Sequence, residues 1–292
     1  MSLIGIPENL LFYKYRPGLV PSKDDESGIK LLNRDLEIIT KNRVWFDNPS
    51  NFNDPFDCAP APSQRTPEEI ESVLQRVINN TNNISITDAQ RLEVKNKYES
   101  DPEEAIKIID YLSSRPEYVT AFMSGYIVYC LAKNPLIRLM WSHYANNHAG
   151  FAVEFDVTKN LNKDPRLRTD EEFETELGPL PVIYQRERPT MHDKSNGNQA
   201  EVLLIKDCVW GYEEEFRVVK QGQPSLVEFD PDYLKSVILG AKVTPDTKAI
   251  IQDAVFDFNR EHQTDMKIYY AELSKTKYEL VIPNHPVYEN RS

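Results

Sequence analysis

A chain of 292 residues can bury a substantial core without disulfides or metals, and its 46 acidic against 34 basic side chains give a net charge of −12. That balance argues against a general nucleic-acid or anionic-membrane surface, because phosphate binding needs clustered Lys and Arg. The three cysteines, Cys58, Cys130 and Cys208, are too scattered for a disulfide framework or a C-x-x-C metal pair; with no signal-like N-terminus and no long apolar run, the reading is a soluble cytoplasmic protein without a membrane partner.

Leu10–Arg16 has the aromatic and aliphatic density of a strand, closed by Pro17-Gly18, with Phe12, Lys14 and Arg16 on one face. Leu31, Leu32, Asp35, Leu36, Ile38 and Ile39 form a helical stripe before a second strand, Arg43–Asp47. Asn48–Asp57 is rich in Pro, Asn and Asp and reads as a structured loop anchored by Phe52 and Phe56. As a connector it needs no function; as a pocket rim it presents Asn53, Asp54 and Asp57.

Residues 66–122 change to charged, helix-rich sequence, with start signals at Thr66-Pro-Glu-Glu, Thr87-Asp-Ala-Gln and Asp101-Pro-Glu-Glu. This predicts a helical insertion, whose stripe Ile70, Val73, Leu74 and Val77 serves packing or a protein partner. Tyr126–Leu131 reads as a strand and Pro135–Tyr144 as a helix. Met140–Asp156 then joins a polar turn to an alternating strand, with Phe151, Val153 and Phe155 on its buried face and Ala152, Glu154 and Asp156 opposite. In that turn Trp141, Ser142, His143, Tyr144, Asn146, Asn147 and His148 are all hydrogen-bonding side chains, and each one buried without a partner costs about 1–3 kcal/mol. They must be paired, solvated or used.

A polar excursion over Thr158–Gly178, a short strand at Leu180–Tyr184 and a mobile loop over Thr190–Asn198 follow. If Tyr212–Val219 is a strand, Glu213, Glu215 and Arg217 share a face, either as a weak surface ion pair or as a site. Leu234–Gly240 predicts a strand, Pro245–Phe258 a helix, and Lys267–Leu273 with Tyr278–Ile282 a closing hairpin. The resulting class is α+β: a single mixed domain over residues 1–292, with a split, mostly antiparallel sheet and a helical insertion.

Several motifs carry a resemblance: Tyr13-Lys-Tyr-Arg16, Phe52-Asn-Asp-Pro-Phe-Asp57, Met140-Trp-Ser-His-Tyr-Ala145 with Gly150-Phe151 and Phe155-Asp156, Trp210-Gly-Tyr-Glu-Glu-Glu-Phe-Arg217, and Ile238-Leu-Gly240. In that order they resemble the bacterial family of domain of unknown function 2971, whose name implies no reaction, although the resemblance raises a phage-defence or toxin context. A more distant resemblance is to ADP-ribosyltransferase-like folds, which place a basic residue early, a Ser or Tyr centrally and a Glu late within E-x-E. Lys14 or Arg16, Ser142 or Tyr144, and Glu213-Glu214-Glu215 occupy those places in order, though the central residues precede their strand.

That resemblance implies NAD as substrate. Glu215, with Glu213, would stabilise positive charge at the ribose as nicotinamide leaves, and Tyr144 would stack on nicotinamide. Lys14 or Arg16 would bind pyrophosphate or ribose, and Asn53 or Asp54 would position a hydroxyl. Trp141, Ser142, His143 and Arg217 complete the expected pocket for a nucleotide-like molecule. Two other readings use the same residues. Asp54, Asp57, Asp156, Glu213 or Glu215 with His143 or His148 could hold magnesium or manganese in a phosphodiesterase or nuclease. A nucleotide-sensing or protein-binding module would use the pocket without chemistry.

Overall fold

Inside the main sheet lies β4 (Phe151–Asp156), paired antiparallel with β1 (Leu11–Arg16) on one side and β10 (Leu234–Leu239) on the other. The computed structural model describes residues 10–18, 26–61, 74–75, 87–113, 123–158, 176–189 and 199–288. Its main sheet has seven strands in the order β11 (Lys267–Tyr270), β10, β4, β1, β3 (Tyr126–Ala132), β8 (Glu215–Gln221) and β5 (Leu180–Pro181). Every neighbouring pair is antiparallel except β10 with β11. The α+β class and the mostly antiparallel sheet are as the sequence predicts.

Both faces of this sheet are covered, which corrects the expectation of one buried face on β4. Phe151, Val153 and Phe155 pack with Ile251, Ala254, Val255 and Phe258 of the helix α5 (Pro245–His262), and with Leu36, Ile38 and Ile39 of α1 (Glu26–Thr40). On the other face, Ala152 lies among Trp141 and Met140 of α4 (Arg138–Tyr144) and Ile282 and Tyr288 near the chain end. Glu154 is therefore buried too, and it is compensated: Tyr13 Oη donates to it at 2.8 Å and His285 Nε2 lies 2.8 Å away. The Val287 N–H donates to His285 Nδ1, so that nitrogen carries a lone pair and Nε2 the proton.

The turn after α4 explains most of its polar composition. Asn146, Asn147 and His148 have φ of 47°, 52° and 71°, three consecutive left-handed residues in which Asn is better tolerated than most. The turn docks against the ends of β1 and β10 because two glycines permit it. A Cβ on Gly150 would lie 2.1 Å from the Arg16 carbonyl oxygen, and one on Gly240 2.2 Å from the His148 carbonyl oxygen. Gly240 N–H to Gly150 O and Lys242 N–H to His148 O then close the join, at 2.9 and 2.8 Å.

The predicted insertion is described over 87–113, as α2 (Asp88–Ser100) and α3 (Pro102–Ser113), with the start signals used as read: Thr87 and Gln90 form a reciprocal capping box, and Asp101 accepts from the Glu104 N–H. Leu74 is fully buried; the rest of its stripe lies outside the described residues, as do the Thr66 start and the Thr190–Asn198 loop. The predicted closing hairpin resolves into two pairings. β11 joins the main sheet in parallel, and only β12 (Glu272–Leu273) and β13 (Leu280–Val281) form an antiparallel pair. No helix among the described residues is long and apolar enough to cross a membrane.

Candidate functional site

The sheet splits between β1 and β3. β1 pairs with β4 at all six positions from Leu11 to Arg16, but with β3 only at Tyr13 and Ala132. Four residues away on the same edge of β3, Val128 exchanges both backbone hydrogen bonds with Asp47, at the end of the strand β2 (Arg43–Phe46). In an antiparallel ladder alternate residues direct their N–H and C=O to the same edge, so Cys130, between these two closures, faces an opening. Lys14 Nζ reaches into it and donates to the Cys130 carbonyl at 2.8 Å, above the Tyr129 ring at 4.6 Å.

This opening is the floor of a cleft of about 590 Å³, within the roughly 300–1,000 Å³ range of small-molecule sites. Of the side chains expected at a site, Lys14, Arg16, Asn53, His143, Tyr144, Glu213 and Glu215 line it. Four do not. Trp141 is fully buried in the core, with its Nε1 donating to the Pro135 carbonyl at 2.7 Å, and Ser142 Oγ donates to the Arg138 carbonyl at 3.1 Å. Asp54 accepts from Trp210 Nε1 at 2.6 Å and so ties its loop to the segment before β8. Arg217 lies beneath the cleft wall, fully buried.

Arg217 organises that wall. Its Nε donates to Glu215 Oε1 at 2.8 Å, its Nη1 to the Leu203 carbonyl at 2.7 Å, and its Nη2 to both oxygens of Asp57 at 2.9 and 2.8 Å. Lys206 completes the network, with Nζ 2.5 Å from Glu213, 3.0 Å from Glu215 and 3.5 Å from Asp57. Three carboxylates thus surround one ammonium, which takes the place a divalent cation would have in a three-carboxylate site. No group of three or more His, Cys, Asp or Glu among the described residues is arranged to hold a metal. The alternative of a weak surface ion pair between Glu215 and Arg217 does not describe this pair, which is buried.

The sequence expectation of Glu213 and Glu215 on one strand face is met by a different route. β8 begins only at Glu215; residues Cys208–Glu213 form a 3-10 turn, and Glu214 has φ 45°. Lys206, on β7 (Ile205–Asp207), draws the two carboxylates together across this bend. Lys206 is the structural member of the site that sequence reasoning did not assign, whereas its partner Asp57 was expected at the pocket rim; the available signal for Lys206 is a lone lysine after the apolar run Leu203-Leu204-Ile205.

The electrostatics follow from burial and pairing. Burial alone would raise the Glu215 carboxyl, but Arg217 and Lys206 outweigh it and hold the group down at about 2, so it is ionised at neutral pH. Burial would likewise lower Lys206, and Glu215, Glu213 and Asp57 raise it instead. Burial lifts the Tyr144 hydroxyl, with Glu213 adding to the rise; Tyr144 Oη donates to Glu213 at 2.8 Å. Across the cleft the balance reverses. Burial and the neighbouring Arg16 depress Lys14 to about 8, and neither Lys14 nor Arg16 has a carboxylate partner within ion-pair distance among the described residues. Arg16 Nε is buried with no hydrogen-bond partner among those residues, and so is the Tyr129 hydroxyl. One lip therefore offers two cations to an anion, and the other offers ionised Glu215 beside Glu213 and the Tyr144 ring.

Cys58 and Cys130 are poor nucleophiles in this setting: burial pushes the Cys58 thiol up to about 12 and raises Cys130 well above its usual value. A family model described as a protein of unknown function, DUF2971, matches residues 140–218, from α4 through the Arg217 network. No curated protein and no solved structure matches the chain. Over residues 140–218 the chain is similar to the DUF2971 family.

Proposed function

We propose that the cleft binds NAD and cleaves its nicotinamide–ribose bond, as an ADP-ribosyltransferase-like enzyme or NAD glycohydrolase. The observation that carries this reading is the polarity of the split sheet: Lys14 and Arg16 on one lip, neither ion-paired to a carboxylate among the described residues, and Glu215 held ionised beside Glu213 on the other. Lys14 and Arg16 suit the pyrophosphate, Tyr144 and His143 offer rings to nicotinamide, and Glu213 accepts from ribose hydroxyls where it now accepts from Tyr144.

As the bond from ribose C1′ to the pyridinium nitrogen breaks, its electron pair passes to that nitrogen and neutral nicotinamide leaves. Positive charge develops at C1′, where ionised Glu215 stabilises it without reorganising. Water or an acceptor hydroxyl adds to C1′ and loses its proton to solvent. A role of this kind in defence or toxicity would follow from NAD loss or target modification. Folded Glu215→Gln is expected to bind NAD yet release nicotinamide at least about 100-fold more slowly. Turnover equal to the wild type in that folded variant contradicts the assignment. Because both Glu215 oxygens already accept internal hydrogen bonds, binding with no product would instead support a nucleotide-sensing site.

A further inference from the structure

A second wall of the cleft is aromatic. β2 pairs antiparallel with β9 (Ser225–Glu228), placing Trp45 directly opposite Leu226. Alternation along β2 buries Val44 and Phe46 and turns Arg43, Trp45 and Asp47 the other way; these three and Leu226 all line the cleft. Trp45 is 44 % exposed there, whereas Trp141 is fully buried and the Trp210 indole N–H is held by Asp54. Arg43 is engaged by both oxygens of Glu37, at 3.1 and 2.8 Å, so it is not the free anion ligand on this wall. Asp47 uses one carboxylate oxygen, Oδ1, for the Asn48 N–H and Asn51 Nδ2, and Oδ2 makes no hydrogen bond to a described residue.

We propose that Trp45, flanked by Leu226 and Asp47, is a nucleobase-stacking subsite for an amino-bearing base, which makes the ligand a dinucleotide rather than a single nicotinamide nucleotide. This rests on the NAD reading of the cleft. The indole supplies a stacking plane, Leu226 its apolar border, and Asp47 Oδ2 an acceptor for an exocyclic amine such as that of adenine. The spacing agrees. Asp47 bonds Val128 and Glu215 pairs with Ala132, four residues along β3 and roughly 13 Å apart. A base at one closure and a nicotinamide ribose at the other, joined by a pyrophosphate over Arg16, occupies that length.

The test is calorimetric titration of the wild type, Trp45→Ala and Trp45→Phe with NAD, ADP-ribose and nicotinamide mononucleotide. Trp45→Ala is expected to weaken NAD and ADP-ribose about 10- to 100-fold and nicotinamide mononucleotide less than about threefold, while Trp45→Phe keeps most of the affinity. NAD should also quench tryptophan fluorescence in the wild type and not in Trp45→Phe. If the wild type binds NAD and Trp45→Ala binds it equally well, the subsite is overturned and the NAD reading stands. If the wild type binds none of the three, both are overturned.

Discussion

Asp57 and Arg217 are 160 residues apart in the chain and meet in a buried ion pair, with Arg217 Nη2 2.9 and 2.8 Å from the two carboxylate oxygens. The pair joins the loop after β2 to the strand that ends the cleft wall. Because Arg217 also serves Glu215 and the Leu203 carbonyl, removing it leaves two carboxylates short of a cation in a buried setting. Arg217→Ala should cost about 3–5 kcal/mol in urea denaturation, while Arg91→Ala, at an exposed helical pair, should cost under about 1 kcal/mol.

Acid should weaken the same network. The Glu215 carboxyl falls from a usual 4.5 to about 2 in the fold, so its pairing stabilises fully above the higher value and is lost as pH drops through the lower. The stability gap between wild type and Glu215→Gln should therefore be widest above pH 4.5 and shrink toward pH 2. A gap independent of pH across that window would contradict the assignment of Glu215 as an ionised partner of Arg217 and Lys206.

Lys14 gives a second pH signature, this time in binding. With its ammonium depressed to about 8, it is mostly charged at pH 7 and mostly neutral at pH 9. Affinity for a pyrophosphate ligand should fall roughly tenfold over that interval, and Lys14→Met should bind weakly at both values with little pH dependence. Titrations of NAD at constant ionic strength separate this from simple screening.

The join of the Asn146–Gly150 turn to the sheet should be intolerant of any side chain. Gly150→Ala places a Cβ against three backbone carbonyl oxygens, those of Arg16, Pro17 and Ala145, at 2.1, 2.8 and 3.0 Å. Backbone cannot yield as a flexible side chain does, so the loss should exceed about 3 kcal/mol, at the upper end for single substitutions. Gly178→Ala, where a Cβ meets nothing within 4 Å, is the control.

Sequence periodicity located β1, β2, β3, β4, β10 and α5 because each carries a clear apolar repeat, and local chemistry located the cap at Thr87. It did not show that β4 is buried on both faces, since Glu154 looks like a solvent-facing residue until Tyr13 and His285 arrive from distant parts of the chain. Seven of the eleven expected site residues line one cleft. The remainder reflects pairings that no local pattern encodes. Trp141 bonds the Pro135 carbonyl before its helix and Ser142 the Arg138 carbonyl within it, and Lys206 becomes part of the site only when a 3-10 turn folds Glu213 back beside Glu215.

The measurement that bears most directly on the NAD reading is proton NMR of the wild-type protein with NAD, following free nicotinamide over time beside Arg16→Ala and Glu215→Gln. Nicotinamide release by the wild type is expected, with a raised KM for Arg16→Ala through the lost pyrophosphate contact and a collapsed rate for folded Glu215→Gln. Intact NAD together with no NAD-dependent change in the protein's own resonances, at millimolar ligand, would contradict it.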